Sequence, residues 1–546
     1  MNTFQLSGNL VDILQQEIYP ATIHITDGYI SRIERNNNQY TTYLLPGFTD
    51  AHVHVESSML IPSEFARLAV VHGTIATVSD PHEIANVMGV KGVEYMLENG
   101  KKVPFRFNFG APSCVPATVF ETAGAVVTVA DIEALLQRDD IRYLTEMMNF
   151  PGVLHKDPEV LAKIAAAQKA GKPVDGHAPG LRGETAAAYI AAGISTDHEC
   201  FTIEEALDKL QYGMHILIRE GSAAKNFEAL YPLLHDHASH IMFCSDDKHP
   251  DNLVEGHINL LVKRALAYGV DLFKVLRAAC INPVLHYKLD NGLLRVNDPA
   301  DFIVIDDLQN FNILATYING VKVAENGHTL IPSIPSSPVN NFIADPVTAD
   351  DFRIPVSDSN AKEITVKVIG AMDGQLITNA LTAVLPVVNG AIESNTQQDI
   401  LKLVVVNRYK KAPPAVAFIH GFGLQHGAIA SSVAHDSHNI IAVGTDDESL
   451  AAAINSVIAA QGGISAVGNN NVQELPLPVA GLMSNLDGYT IAARYSALDK
   501  AAKELGSTLA SPFMTLSFMA LLVIPHLKLS DLGLFDGDSF QFTTTH

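Results

Sequence analysis

The chain has 546 residues, 47% hydrophobic and 17% charged, the make-up of a folded protein with room for two or three domains rather than of a disordered one. Acids outnumber bases 59 to 36, a net charge of −23, which argues against nucleic acid and leaves a small neutral or cationic ligand, or a metal. Four cysteines (Cys114, Cys200, Cys244 and Cys280) in so long a chain make no disulfide framework.

The opening "MNTFQLSGNLVDILQQ" lacks the basic and apolar regions of a signal peptide, so a cytoplasmic location is expected. Residues 1–45 read as short strands. "ATIHITDGYISRIE" alternates around Asp27-Gly28, a hairpin signal, and "ADFIVIDDLQNFNILATYINGVKVAENG" repeats the pattern around Asn319-Gly320. One small β domain, a β-sandwich built from 1–45 and 286–340, is predicted from these two flanks.

Between them, over 46–285, short β-like runs alternate with helical stretches. Eight runs end in chemically competent residues: "FTDAHVHVE", "GTIATVSDPHE", "FRFNFGAPS", "RYLTEMMNF", "KPVDGHAP", "GISTDHEC", "MHILIREGS" and "SHIMFCSDD". Helices such as "DPEVLAKIAAAQKAG" and "IEEALDKLQ" lie between them. Strand then helix, eight times over, predicts a closed parallel (β/α)₈ barrel of the TIM type, with its chemistry at the C-terminal strand ends. "PSIPSSPVNNF" reads as a linker, and 341–546 as a separate C-terminal α/β domain. The apolar run "FMTLSFMALLVIP" is too short to span a bilayer and reads as core.

In the first run His52, His54 and Glu56 alternate, so on a strand they share a face. A lone His-x-His is weak. The other strand ends strengthen it: Glu146 on the fourth, His177 on the fifth, His198 on the sixth and Asp246 on the eighth. With His52 and His54, these make four imidazoles and two carboxylates on one rim, enough to hold two divalent metals.

The chain resembles the amidohydrolase superfamily and, within it, the adenine deaminase family. The resemblance rests on "PGFTDAHVHVESSM", "VSDPHEIANVMG", "MNFPGV", "DGHAPGL", "TDHEC", "FCSDD" and, beyond the barrel, "SVAHDSHNIIAVG". It implies metal-dependent hydrolytic deamination of adenine to hypoxanthine and ammonia, in purine salvage, by a metal-bridged hydroxide attacking C6. Two divalent ions are implied, manganese or iron, with zinc also acceptable to these ligands. His52, His54 and Asp246 resemble the ligands of the deeper metal, and His177 and His198 those of the outer one. Many binuclear relatives bridge the metals with a carboxylated lysine on strand four; no lysine stands in "RYLTEMMNF", and Glu146 resembles the bridge instead.

That chemistry assigns Asp246 as proton shuttle and leaves Glu56, Glu83 and Glu199 as candidates to protonate N1, each equally readable as support for a neighbouring histidine. Asp247 reads either as acceptor for purine N7–H or as support for the strand-eight turn. Asp246 and Asp247 reach one pocket only if the strand breaks there, which "SDDKHPD" makes plausible. His82 and His249 read as outer acid/base groups or as exposed loop histidines, and the thiols near strand ends as buried or pocket-lining. In the C-terminal domain, His435, Asp436, Ser437 and His438 form a loop that either closes the site onto the base or makes an internal turn. A symmetric homodimer is the expected assembly. Another amidohydrolase reaction, on a different aminopurine or a cyclic amide, is the alternative, since the same ligands would serve it.

Overall fold

The computed structural model describes residues 3–358, 360–468 and 471–546. Eight parallel strands form the barrel: β1 (Phe48–Val53), β2 (Thr74–Ser79), β3 (Arg106–Ala111), β4 (Ile141–Met147), β5 (Val174–Gly176), β6 (Thr196–Asp197), β7 (His215–Arg219) and β8 (Ile241–Cys244). β1 to β5 pair in sequence order, as do β6 to β8. Hydrogen bonds also close the two seams. Ser195 N donates to Val174 O at 2.9 Å between β5 and β6, and Asp246 N to His52 O at 2.9 Å between β8 and β1.

Burial explains why the sequence forms these strands. Every residue of β1 and β2 is buried, as expected where helices cover the outside and side chains fill the inside. The helices start at readable signals: Asp157 caps Pro158–Lys169 by accepting from Glu159 N and Val160 N, and Thr202 caps Ile203–Leu210.

The β8–β1 seam carries the first metal-type residues, and a buried carboxylate holds it. Asp50 Oδ1 accepts from Ser245 N at 3.0 Å; Oδ2 meets the Ser245 hydroxyl and, at 2.7 Å, His257 Nε2. His257 Nδ1 in turn meets Thr74 Oγ1 at 2.8 Å, on β2.

Both flanks do join in one small β domain, an eight-stranded sheet in which Tyr43–Pro46 lies between Phe302–Ile305 and Thr3–Asp12. The sheet folds over itself, so Phe4 of one half stacks on Tyr317 of the other at 6.0 Å. The two hairpin turns meet. A Cβ on Gly28 (φ +85°) would stand 2.8 Å from Asn319 O, so only glycine fits that approach.

The C-terminal domain is built on a nine-stranded mixed sheet. Its strand Ile400–Val406 is buried on both faces: Val404 and Val406 pack toward helix Asp447–Ala459, while Leu401, Leu403 and Val405 join the barrel's own core. The run 332–342 has no regular structure, as a linker should, yet it is fixed to the barrel through Ser333 Oγ donating to Glu64 Oε1 at 2.5 Å. Among the described residues no helix is long and apolar enough to cross a membrane, and all four cysteines are buried free thiols.

Because Asp50 satisfies His52 N on β1, Ser245 just past β8 and His257 at the start of helix Ile258–Ala267, Asp50→Ala should leave buried donors unpaired and cost about 3–5 kcal/mol. Denaturant midpoints of the metal-free proteins measure this; equal midpoints would mean the seam closes without it.

Candidate active site

At the C-terminal rim, β1 ends on His52 and His54, whose Nε2 atoms face each other at 3.2 Å. Two N–H groups cannot point at one another, so at least one nitrogen offers a lone pair. Asp246 Oδ1 stands 3.8 Å and 3.3 Å from these nitrogens, and Glu146 Oε1 3.9 Å and 3.2 Å. The other oxygen of Glu146 meets a different pair: Oε2 lies 2.8 Å from His177 Nδ1 and 3.3 Å from His198 Nε2. One carboxylate thus addresses two separate imidazole pairs.

The six residues read from the strand ends converge, and their spacing suits dications. Ligand atoms about 2.0–2.2 Å from a metal stand about 3–3.5 Å apart when adjacent in its shell; His54 Nε2 has this spacing to Asp246 and Glu146, at 3.3 and 3.2 Å, and His198 Nε2 to Glu146, at 3.3 Å, while His52 stands wider from both carboxylates. His52, His54 and Asp246 form one group able to hold a metal ion, and His52, Glu146 and His198 another.

Neighbouring groups fix this set. Asn226 Nδ2 donates to His198 O at 3.1 Å and Cys200 O at 3.0 Å. The Tyr189 hydroxyl donates to Met147 O at 2.7 Å and accepts from His177 N at 3.1 Å. Arg219, at the end of β7, is fully buried; its Nη1 donates to Asp246 Oδ2 at 2.6 Å and its guanidinium grips both oxygens of Glu199. Sequence reasoning passed over Arg219, although it ends a barrel strand as the other rim residues do.

β8 breaks as expected. It ends at Cys244 and Asp246 adopts φ +55°, so Asp246 and Asp247 line the same cavity. Asp247 Oδ1 accepts from Ser57 Oγ at 2.5 Å.

The electrostatics follow from burial and pairing. Burial disfavours charge on Glu146, but His177, His198 and His54 more than offset it and hold its carboxyl well below its ordinary value. Burial likewise opposes Asp246, and Arg219 more than offsets it. Burial pulls His198 down, yet Glu146 carries it up to about 9. His52, buried between His198 and His54, is pushed well below its ordinary value and offers a free imidazole.

The three glutamates divide. Glu83 and Glu199 line the cavity, while Glu56 does not; Glu56 accepts from Ile84 N at 3.2 Å, and burial raises it to about 7. The C-terminal loop divides too. His435 and Asp436 line the cavity; Ser437 and His438 do not. Ser437 O accepts from the Tyr409 hydroxyl at 2.6 Å, and His438 Nε2 meets Glu83 Oε2. His82 and His249, readable as exposed, are both 2% exposed, because the C-terminal domain covers the rim loops. His82 Nδ1 lies 3.1 Å from Asp80 Oδ2 and 3.5 Å from Glu146 Oε1, and His249 packs edge-on against Tyr495 at 4.5 Å.

Leu376, Phe518 and Leu521, also from the C-terminal domain, roof the cavity, and Met148 completes its apolar lining. Its volume is about 20 Å³, room for a water and less than a bicyclic base fills.

Residues 43–323 match the amidohydrolase family, and 375–541 match the adenine deaminase C-terminal domain. The chain is 58% identical over 542 residues to an adenine deaminase of Salinibacter ruber, covering 99% of this chain and 98% of that protein. It is 55% identical to one of a Sulfurovum species, covering 98% and 99%, and 50% identical to one of Borreliella burgdorferi, covering 99% and 100%. The two matches meet where the site does, since the barrel supplies its rim and the C-terminal segment its roof. The chain belongs to the adenine deaminase family of amidohydrolases.

Proposed function

We infer that the protein deaminates adenine hydrolytically, giving hypoxanthine and ammonia. The carrying observation is the buried donor set on the barrel rim, roofed by the family's own C-terminal domain. The family is metal-dependent, and we assign the ions to His52, His54 and Asp246 on one side and His177 and His198 on the other, with Glu146 spanning both. Imidazole and carboxylate donors suit manganese or iron, and accept zinc. When bound, the cations supply Lewis-acid activation of the attacking water.

The chain's own groups do the rest. Arg219 occupies Asp246 Oδ2, which leaves Oδ1 facing the histidines. There Asp246 takes a proton from the attacking water and passes it to the departing amine. Asp247, held by Ser57, accepts a hydrogen bond from the purine. Burial of these side chains strengthens each of these interactions. In this reading the barrel spans 46–285, the small β domain 1–45 and 286–340, and the C-terminal domain 341–546. The protein works as a cytoplasmic homodimer in purine salvage.

Ammonia release from adenine, adenosine and cytosine by manganese-loaded protein tests the reading. Turnover of adenine alone is expected; preference for cytosine, or for a cyclic amide added to the panel, would replace it with another amidohydrolase reaction.

Asp246 and Asp247 should separate. Asp246→Asn removes a ligand charge and the proton shuttle, so kcat should fall by at least about 10²–10⁴-fold. Asp247→Ala should cost about 1.5–3 kcal/mol in kcat/KM through a lost charged hydrogen bond, with metal content intact. Metal loss in Asp247→Ala but not in Asp246→Asn would exchange the two roles.

A further inference from the structure

Addition of water to C6 pushes an electron pair onto the adjacent ring nitrogen, which must be protonated. The glutamates nearest the histidine motifs are poorly placed to do this. Glu199 has both oxygens occupied by the Arg219 guanidinium. Glu56 lies outside the cavity lining. Glu83 has both oxygens occupied by imidazoles, Oε1 by His435 Nδ1 at 2.5 Å and Oε2 by His438 Nε2.

The proton positions follow from these contacts. Ala434 N donates to His438 Nδ1 at 3.2 Å, so the His438 proton sits on Nε2 and points at Glu83. Glu83, an acceptor at both oxygens, then orients the N–H on Nδ1 of His435. That leaves His435 Nε2, which is buried and has no hydrogen-bond partner, in a residue lining the cavity. The ring is held flat against Phe518, with centroids 5.1 Å apart and planes at 28°, and its Nε2 lies 3.9 Å from Asp247 Oδ1.

We propose that His435, delivered by the C-terminal domain and oriented by Glu83 of the barrel, is the acid that protonates the purine ring nitrogen beside the reacting carbon. The proposal rests on the adenine reading above. In the addition, the C6–O bond forms while the C6–N1 π pair takes the Nε2 proton. Ammonia then leaves: Asp246 passes the proton it took from the water to the exocyclic nitrogen, the C6–N bond breaks, and C6=O closes. N1 keeps its proton, and the hydroxyl proton released as C6=O closes restores the imidazolium. Although burial opposes charge on His435, Glu83 and Asp247 raise it to about 9, so the proton is present at neutral pH.

Turnover of adenine and of 6-chloropurine by manganese-loaded wild-type, His435→Gln and Glu83→Gln proteins tests this, with metal content, thermal transition and hypoxanthine Kd as controls. Chloride leaves without a proton, so loss of a ring-nitrogen acid should harm both substrates alike. His435→Gln should keep its metal and hypoxanthine affinity, and kcat should fall about 10²–10⁴-fold on each. Loss confined to adenine would assign His435 to the leaving amine, and a raised KM at near-normal kcat would make it a binding group; either overturns the proposal. If His435→Gln loses metal or its folded transition, Glu83→Gln decides. A lower kcat on both substrates at unchanged KM supports the dyad, and unchanged kcat refutes it. Failure of the wild-type protein on both substrates would sink the adenine reading itself, and the proposal with it.

Discussion

The structure depends on one carboxylate facing two ways. Glu146 sits 3% exposed at the end of β4, with one oxygen toward His52 and His54 and the other toward His177 and His198. A buried ionised carboxylate costs several kcal/mol unless it is fully paired, and here His54, His177 and His198, from three other strands, provide the pairing. Each imidazole must therefore be held in place by its own strand. The barrel meets this demand with buried polar ties beneath the rim: Asp50 across the β8–β1 seam, Tyr189 between β4 and β5, and Asn226 behind β6. The same logic places a buried arginine beside Asp246.

The second constraint is exclusion of water, and the C-terminal domain supplies it. Its roof segments, one carrying Leu376 and the other Phe518 and Leu521, are far apart in sequence. Lys528, fully buried, joins them: its Nζ donates to Leu376 O at 2.6 Å and Phe518 O at 2.9 Å. Burial pushes this amine down to about 7, and among the described residues no carboxylate pairs with it. Roof and proposed ring-nitrogen acid come from one domain.

Much of this was legible in the sequence because it is local. Period-two alternation placed His52 and His54 on one face, strand-end position picked out Glu146, His177, His198 and Asp246, and turn-forming residues foretold the break that lets Asp246 and Asp247 share a cavity. Asp-Gly and Asn-Gly marked both hairpins, though not that the two turns would pack together. What escaped is long-range. Nothing local distinguishes Arg219 from any strand-end arginine, and only the fold brings Glu83 to His435, 352 positions apart. His82 and His249 looked like loop histidines because the domain that buries them lies more than 90 residues downstream. The loop "SVAHDSHN" was open to two readings, and both hold in part: His435 and Asp436 face the cavity, while Ser437 and His438 make internal contacts.

The central claim, that Glu146 spans two cation positions, is tested most directly by manganese binding to metal-free wild-type and Glu146→Gln proteins, followed by equilibrium dialysis and by electron paramagnetic resonance. An amide keeps the shape and removes the negative charge that offsets two dications. The account predicts about two ions per wild-type chain with a spin-coupled signal, and in the variant weakened binding of the pair with loss of the coupling while the thermal transition of the metal-free protein is retained. Two equally tight, still coupled ions in Glu146→Gln would contradict it.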